Sequence, residues 1–329
     1  MSDATDSLIV REGGDAGSSG NRTVWLERFG DLDVIRPEDR PIPQPVDDEV
    51  LVRVRAASIN PVDWKTAEGK YPLKEADQLP FALGRDLAGT IEAVGTRAHN
   101  MLSHGDRVFA FIGQDRGAQG DYVVVKAVEL VGMPPSLDFA AAAAAGLVSM
   151  TAWQGLFDHG GLKAGHRVLI HGGAGGVGHL AVQLAKWKGA TVYATAGEGD
   201  LDFVRSIGAD EVIDYKNQRF EDMATDMDLV FDTQGGETQE RSLATLKKGG
   251  MLVSTLEPNE ARATEAGVRI APRYHAEPNA EQLGQVADLM ADGTLRIEVA
   301  RTFPFAEVRE AYRFTKEGHP RGKVVLTLD

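Results

Sequence analysis

Arg167-Val-Leu-Ile-His-Gly-Gly-Ala-Gly-Gly-Val-Gly178 decides the fold of this chain. The apolar run Arg167–Ile170 reads as a strand, and Gly173-x-Gly175-x-x-Gly178 follows it directly. Each glycine in that spacing has a separate task. The first allows the tight turn, the second lets backbone approach a pyrophosphate, and the third lets the next helix pack on the strand. Beyond the turn, Val177, Leu180, Ala181, Leu184 and Ala185 recur at helical spacing, and Gly189 closes the segment. The N-terminus of such a helix attracts phosphate through its unpaired N–H groups and its dipole. Strand, glycine turn and helix together predict a nucleotide site, where a glycine turn alone would not.

The alternation continues outward. Thr191–Thr195, Glu211–Tyr215, Asp228–Asp232 and Gly250–Thr255 read as further strands, with helical stretches that include Asp202–Ile207 and Thr238–Leu246 between them. Short strands alternating with helices predict a doubly wound parallel sheet. Before it, Glu49–Arg55, Ala88–Val94, Arg107–Phe111 and Gly120–Val125 alternate apolar with polar residues among prolines and glycines, which predicts a compact antiparallel β domain. After Tyr274 come helix Ala280–Ala291, strand Val299–Phe303, helix Phe305–Glu317 and strand Lys323–Thr327.

The whole-chain properties exclude several classes. At 329 residues the chain is long enough for two domains. A net charge of −14 argues against nucleic acid or an anionic membrane as partner. The absence of cysteine removes disulfides, thiolate zinc sites and thiol catalysis together. Phe139–Phe157 is uncharged, but it is alanine-rich, carries Ser149, Thr151 and Gln154, and is flanked by Asp138 and Asp158. It reads as a buried or domain-bridging helix rather than a membrane span. Acidic residues at the N-terminus argue against a secretory signal, residues 1–21 read as a mobile tail, and a cytoplasmic location is expected.

Several segments in order carry a family resemblance: Asn60-Pro-Val-Asp63-Trp-Lys65, Gly84-Arg-Asp86-Leu-Ala-Gly89, Gly105-Asp-Arg-Val108, the glycine turn, and Gly318-His-Pro-Arg-Gly-Lys-Val-Val-Leu326. Over residues 22–329 the chain resembles the medium-chain dehydrogenase/reductase superfamily, in its zinc-independent quinone-oxidoreductase-like branch. The resemblance implies an α/β fold in which a Rossmann doubly wound parallel sheet is inserted into a GroES-like β-barrel domain. The implied divisions are residues 22–145 (barrel, first part), 146–275 (Rossmann) and 276–329 (return to the barrel). It also implies a homodimer through the edge of the parallel sheet, for which Val268–Arg273 is the candidate, although Pro272 interrupts its N–H row.

In the zinc-dependent relatives, a Cys stands in the place of Asn60 and a His in the place of Arg85. An amide and a guanidinium are poor substitutes, so no metal is expected. Without a metal or thiol, the nicotinamide must carry the reaction, with hydride passing to a quinone or an α,β-unsaturated carbonyl. Asn60 is the expected polar group beside the reacting centre, with Asp63 and Lys65 on the same loop and Tyr71 at the substrate mouth; an Asp63–Lys65 salt bridge is the structural alternative. Arg85 and Asp86 are expected to pair, and His171 to hold the turn through hydrogen bonds. The cofactor-binding set is Gly173, Ala174, Gly175, Gly176, Val177, Gly178, Thr195, Ala196, Gly197, Tyr215 and Lys323. Thr195, small and neutral at the end of the second strand, favours NADPH, with charge from Arg205 or Lys216. The acidic turn Gly197-Glu-Gly-Asp200 leaves NADH open. Two further readings remain open: a tailoring reductase of secondary metabolism, and a cofactor-binding protein with little turnover, like the lens crystallins of this branch.

Overall fold

The computed structural model describes residues 19–71, 75–98, 102–257 and 259–329. Residues 1–18 of the expected tail lie outside the described residues, and a strand opens at Ser19, ahead of the boundary placed after residue 21.

The parallel sheet has six strands. Their order is Glu211–Asp214, Thr191–Ala196, Arg167–Ile170, Met227–Asp232, Leu246–Ser254 and Arg269–Ile270, and every pairing is parallel. The strand that feeds the glycine turn is therefore central, and the strand order reverses between Arg167–Ile170 and Met227–Asp232. A ligand crevice opens beyond the strand ends at such a reversal. Val168, Ile170, Val192, Ala194 and Leu229 are buried beneath the helix Gly178–Trp187. Leu169, Ile213, Val230 and Leu252 fill the opposite face, so both faces are covered as an all-parallel sheet requires.

The β domain has a seven-stranded sheet. Val299–Pro304, Lys323–Thr327, Glu49–Ile59, Asp86–Val94, Arg107–Phe111 and Val131–Gly132 lie in that order, and Tyr122–Lys126 also pairs with Glu49–Ile59. A three-stranded sheet formed by Pro37–Pro41, Ser19–Leu26 and Phe81–Ala82 accompanies it. Most pairings are antiparallel, as the alternation predicts. Val299–Pro304 and Lys323–Thr327 run parallel instead, because helix Val308–Gly318 carries the chain back between them. The register sets Val324 against Ile59, which brings Lys323 beside Asn60.

Helix Phe139–Trp153 joins the two domains. Asp138 caps it by accepting from the Ala141 N–H at 2.7 Å, a contact worth about 1 kcal/mol. Ala142 to Ala145 and Ala152 are buried, in one core with Ala56, Ala88 and Phe109 of one domain and the parallel sheet of the other. The helix is continuous through residues 145 and 146, so the boundary expected there falls inside one element. Phe139–His159 is long and apolar enough to cross a membrane, yet 72% of its most apolar window is buried within the protein.

Candidate active site

The glycine turn is held open by a directed chain of hydrogen bonds. Gly172 N–H donates to Thr195 Oγ1 at 3.1 Å, and Thr195 Oγ1 lies 3.2 Å from His171 Nδ1. His171 Nε2 sits 2.8 Å from Ser242 Oγ, whose own proton goes to Thr238 O at 2.6 Å. Only one assignment satisfies every member: Thr195 donates to Nδ1, and Nε2–H donates to Ser242. Burial pushes the His171 pKa down to about 4, in keeping with a neutral ring. His171 holds the turn, and the Thr195 hydroxyl is engaged there too. Gly173 N–H closes the turn by donating to Thr195 O at 2.8 Å.

The spacing of the turn is sterically enforced. A Cβ on Gly178 would lie 2.0 Å from Gly172 O, so the helix can start there only on glycine. Ala174, Gly175, Gly176 and Val177 fill the turn between, with Ala174 buried. The far end of the chain is fastened to this turn. Gly322 N–H donates to Ala174 O at 2.9 Å, and Gly322 needs its φ of +72° to pass Glu298. His179, unremarked in the sequence, adds a second tie. Its Nδ1 lies 2.9 Å from Gly175 O, and its Nε2 accepts from Glu298 N–H at 3.1 Å. Burial lowers its pKa to about 4.

Beneath the turn, the end of strand Glu49–Ile59 and the start of the last strand enclose a buried ionic cluster. Lys323 Nζ donates to Asn60 Oδ1 at 2.6 Å and to Ile59 O at 2.7 Å. Asn60 Nδ2 donates to Asp86 Oδ2 at 2.7 Å and to Ser58 Oγ at 3.3 Å, while Ser58 Oγ donates to Asp86 at 2.6 Å. Asp86 also accepts from Leu147 N–H of the junction helix, where Gly146 leaves room for it. Asp63 accepts from Asn60 N–H at 2.8 Å. Burial lowers the Lys323 pKa to about 8 and raises that of Asp63 to about 7; it raises Asp86 as well. Asn60, Asp63 and Lys323 are thus brought together, with both amide donors of Asn60 engaged. Lys65 stands apart: its side chain is exposed and forms no ion pair with Asp63 among the described residues. Position 65 is the exposed face of the helix Pro61–Ala67, whose buried face carries Asp63.

A second cluster spans the two domains. Tyr71 Oη lies 3.3 Å from His275 Nδ1, and the rings meet edge to face at 5.6 Å. Arg85 and Gln114 face the Tyr71 hydroxyl, Gln114 coming from the loop after Phe111 that the sequence left unread. Arg85 does not pair with Asp86. Its Nε donates to Ile112 O at 3.1 Å, because Asp86 is drawn the other way by Ser58, Asn60 and Leu147.

At the end of strand Thr191–Ala196, Ala196 is buried, and Tyr215 is exposed beside Gly197; a Cβ on Gly197 would lie 3.8 Å from the Tyr215 ring. The acidic turn is matched by a residue missed in the sequence. Arg321 Nε pairs with Asp200 at 2.7 Å, Nη2 donates to Gly199 O at 3.1 Å, and the guanidinium lies 4.9 Å from the Phe203 ring centroid. Its distance in sequence, 121 positions, hid the pairing. Arg205 turns instead to Asp202, at 2.9 Å.

Fold and site define a two-domain protein with a glycine turn at the domain junction. Comparison with known proteins then identifies the family. The profile described as alcohol dehydrogenase GroES-like domain matches residues 46–135, and that described as zinc-binding dehydrogenase matches residues 207–326. The NADPH-dependent alkenal/one oxidoreductase, chloroplastic, of Arabidopsis thaliana is 32% identical, covering 97% of this chain and 83% of the relative. The NAD(P)H oxidoreductase RTN4IP1, mitochondrial, of Danio rerio is 32% identical over 94% of this chain and 93% of its own length. The solved quinone oxidoreductase from Coxiella burnetii superposes with a TM-score of 0.86 at 33% identity, covering 94% of this chain and 99% of that one. The chain belongs to the medium-chain dehydrogenase/reductase superfamily, in its quinone-oxidoreductase-like branch.

Two consequences follow. The expected cytoplasmic location is overturned, since relatives of this similarity are named as chloroplastic and mitochondrial proteins. Acidic residues near an N-terminus argue against a secretory signal and do not by themselves establish a cytoplasmic location. Zinc is named in the second profile's description. Asn60 and the cationic Arg85 offer no metal donor pair, and no group of three or more His, Asp or Glu able to hold a metal occurs among the described residues.

Proposed function

We propose that this protein reduces an α,β-unsaturated carbonyl or a quinone with NADPH and without zinc. It is an NADPH-dependent oxidoreductase. The observation that carries the reading is the Tyr71 hydroxyl, set against His275 across the domain junction, in a protein whose other buried groups fasten a dinucleotide turn. The bound nucleotide supplies hydride. Tyr71 is positioned to donate the proton that completes reduction, with His275 beside it to orient the hydroxyl. Asn60 and Lys323 are positioning residues, since their polar atoms are engaged with each other and with Asp86, and Asp63 fixes the Asn60 backbone. Relatives named for alkenal/one and quinone substrates support this substrate class.

Gly173 to Gly178 would hold the pyrophosphate, and Ala196, Gly197 and Tyr215 would flank the adenosine. Arg321 is the group we assign to the 2′-phosphate, because it lies on the acidic turn and cancels the charge of Asp200. Thr195 aids indirectly, by holding the turn. We read the two β sheets as the GroES-like barrel and Phe139–His159 as a core helix, with no membrane or nucleic-acid partner. We also read the protein as a homodimer paired through the Arg269–Ile270 edge. Residues 22–145 with 276–329, and 146–275, remain our working division into domains.

The test is to supply an enone with NADPH bearing deuterium in the transferred position. The reading predicts a saturated ketone labelled at the β-carbon. An allylic alcohol labelled at the carbonyl carbon would overturn it.

A further inference from the structure

Arg85 is a buried cation without a counterion. Its residue is 8% exposed, and no carboxylate lies within ion-pair distance of it among the described residues. The nearest negative charges are Asp63 and Asp86, and both are engaged elsewhere: Asp63 by Asn60 N–H, Asp86 by Ser58, Asn60 and Leu147. Besides the Tyr71 hydroxyl, which hydrogen-bonds to it, two protein groups hold the guanidinium. Nε donates to Ile112 O at 3.1 Å, and the Phe111 ring lies 5.0 Å beneath the central carbon. Its remaining edge faces the Tyr71 hydroxyl, beside His275. A second guanidinium stands near the same hydroxyl: Arg273, whose Nε is buried without a hydrogen-bond partner while Nη1 pairs with Glu257 at 3.2 Å.

Burying a charge without a partner is costly, and the cost is recovered only when an opposite charge arrives. The backbone holds the side chain in this place. Gly84 takes a φ of +98° with its Cα packed on Gln119, and Asp86 is locked into the ionic cluster, so Arg85 sits between two fixed points.

We propose that Arg85 is the electrophilic residue of this site, its guanidinium receiving the acceptor oxygen on which negative charge develops. The inference rests on the reductase reading above. Hydride adds to the β-carbon with its electron pair, the C=C pair shifts toward the carbonyl carbon, and the C=O pair moves onto oxygen, facing Arg85. The oxygen pair then returns as the α-carbon takes the Tyr71 proton, and Tyr71 regains a proton from solvent. The sum is enone, NADPH and H⁺ giving saturated carbonyl and NADP⁺. The substrate class narrows accordingly. Acceptors carry a conjugated oxygen, are neutral or anionic, and are not cationic, since a cation would meet both Arg85 and Arg273.

The test compares wild type, Arg85→Met and Arg85→Lys over enones and quinones of graded electron deficiency, with NADPH affinity measured by fluorescence titration. The expected result is unchanged NADPH affinity and a loss of about 10²-fold in kcat/KM for R85M on weakly activated enones. That loss shrinks as the acceptor becomes more electron-poor, and R85K lies between. Methylguanidinium restores activity to Arg85→Ala. A uniform loss across acceptors with no rescue marks a structural role and overturns the proposal, as does an R85M variant as active as wild type. If R85M does not fold, R85K alone decides by the same slope. A wild-type protein that reduces none of the acceptors overturns the reductase reading itself, and with it this inference.

Discussion

Arg321 shows at the scale of single residues how charge far away in sequence reverses a local reading. The turn Glu198–Asp200 looks hostile to a phosphate until Arg321 pairs with Asp200, which cancels one of its two acidic charges. If the 2′-phosphate lies there, Arg321→Ala will raise the KM for NADPH at least about tenfold and leave that for NADH within twofold. Steady-state kinetics with both nucleotides checks this, and equal effects on the two would remove Arg321 from the phosphate site. The family resemblance put Asn60, Asp63 and Tyr71 forward as candidates, and the spacing of the glycines put forward the turn. What they could not disclose was direction. Lys65 and Asp63 are two positions apart on a short helix, so one is buried and the other exposed. Arg85 immediately precedes the strand that Asp86 opens, and the two side chains turn to different partners.

Single elements were legible wherever periodicity is strong. Helix Ala280–Ala291 and strand Lys323–Thr327 have the bounds that the pattern predicts. The strand pairing was not legible, because the parallel return of Val299–Pro304 depends on where helix Val308–Gly318 packs, not on alternation. The same holds for the fastening of the glycine turn to the last strand by Gly322 and His179. That fastening has a pH signature. The His179 pKa is about 4 in the fold against 6.5 for an ordinary histidine, so between those values the unfolded chain binds the proton and the folded one does not. His179 therefore contributes stability that is complete above pH 6.5 and is lost as pH falls toward 4. The loss amounts to about 3 kcal/mol. Comparing denaturant unfolding of wild type and His179→Gln across that range tests it. The variant should show a shallower decline with acid, and an identical slope would show that His179 is not the linked group.

For the whole molecule, the buried helix Phe139–Trp153 and the ties from Gly322 and Glu298 to the glycine turn and its helix join the two domains, and the proposed acceptor cluster lies across the junction. Tyr71 and Arg85 come from one side and His275 from the other. Such a site exists only in the assembled chain, which is why the sequence offered Tyr71 and Arg85 singly and did not point to His275. The proposed dimer adds a check at the same scale: sedimentation should give twice the chain mass, and a monomer at micromolar concentration would remove the edge-pairing proposal. The central claim, a reductase in which no zinc takes part, is tested most directly by following NADPH absorbance with purified protein and an enone or a quinone, before and after exhaustive chelation. The account predicts NADPH oxidation that requires the acceptor and is unchanged by the chelator. Activity that disappears on chelation and returns with zinc would contradict it.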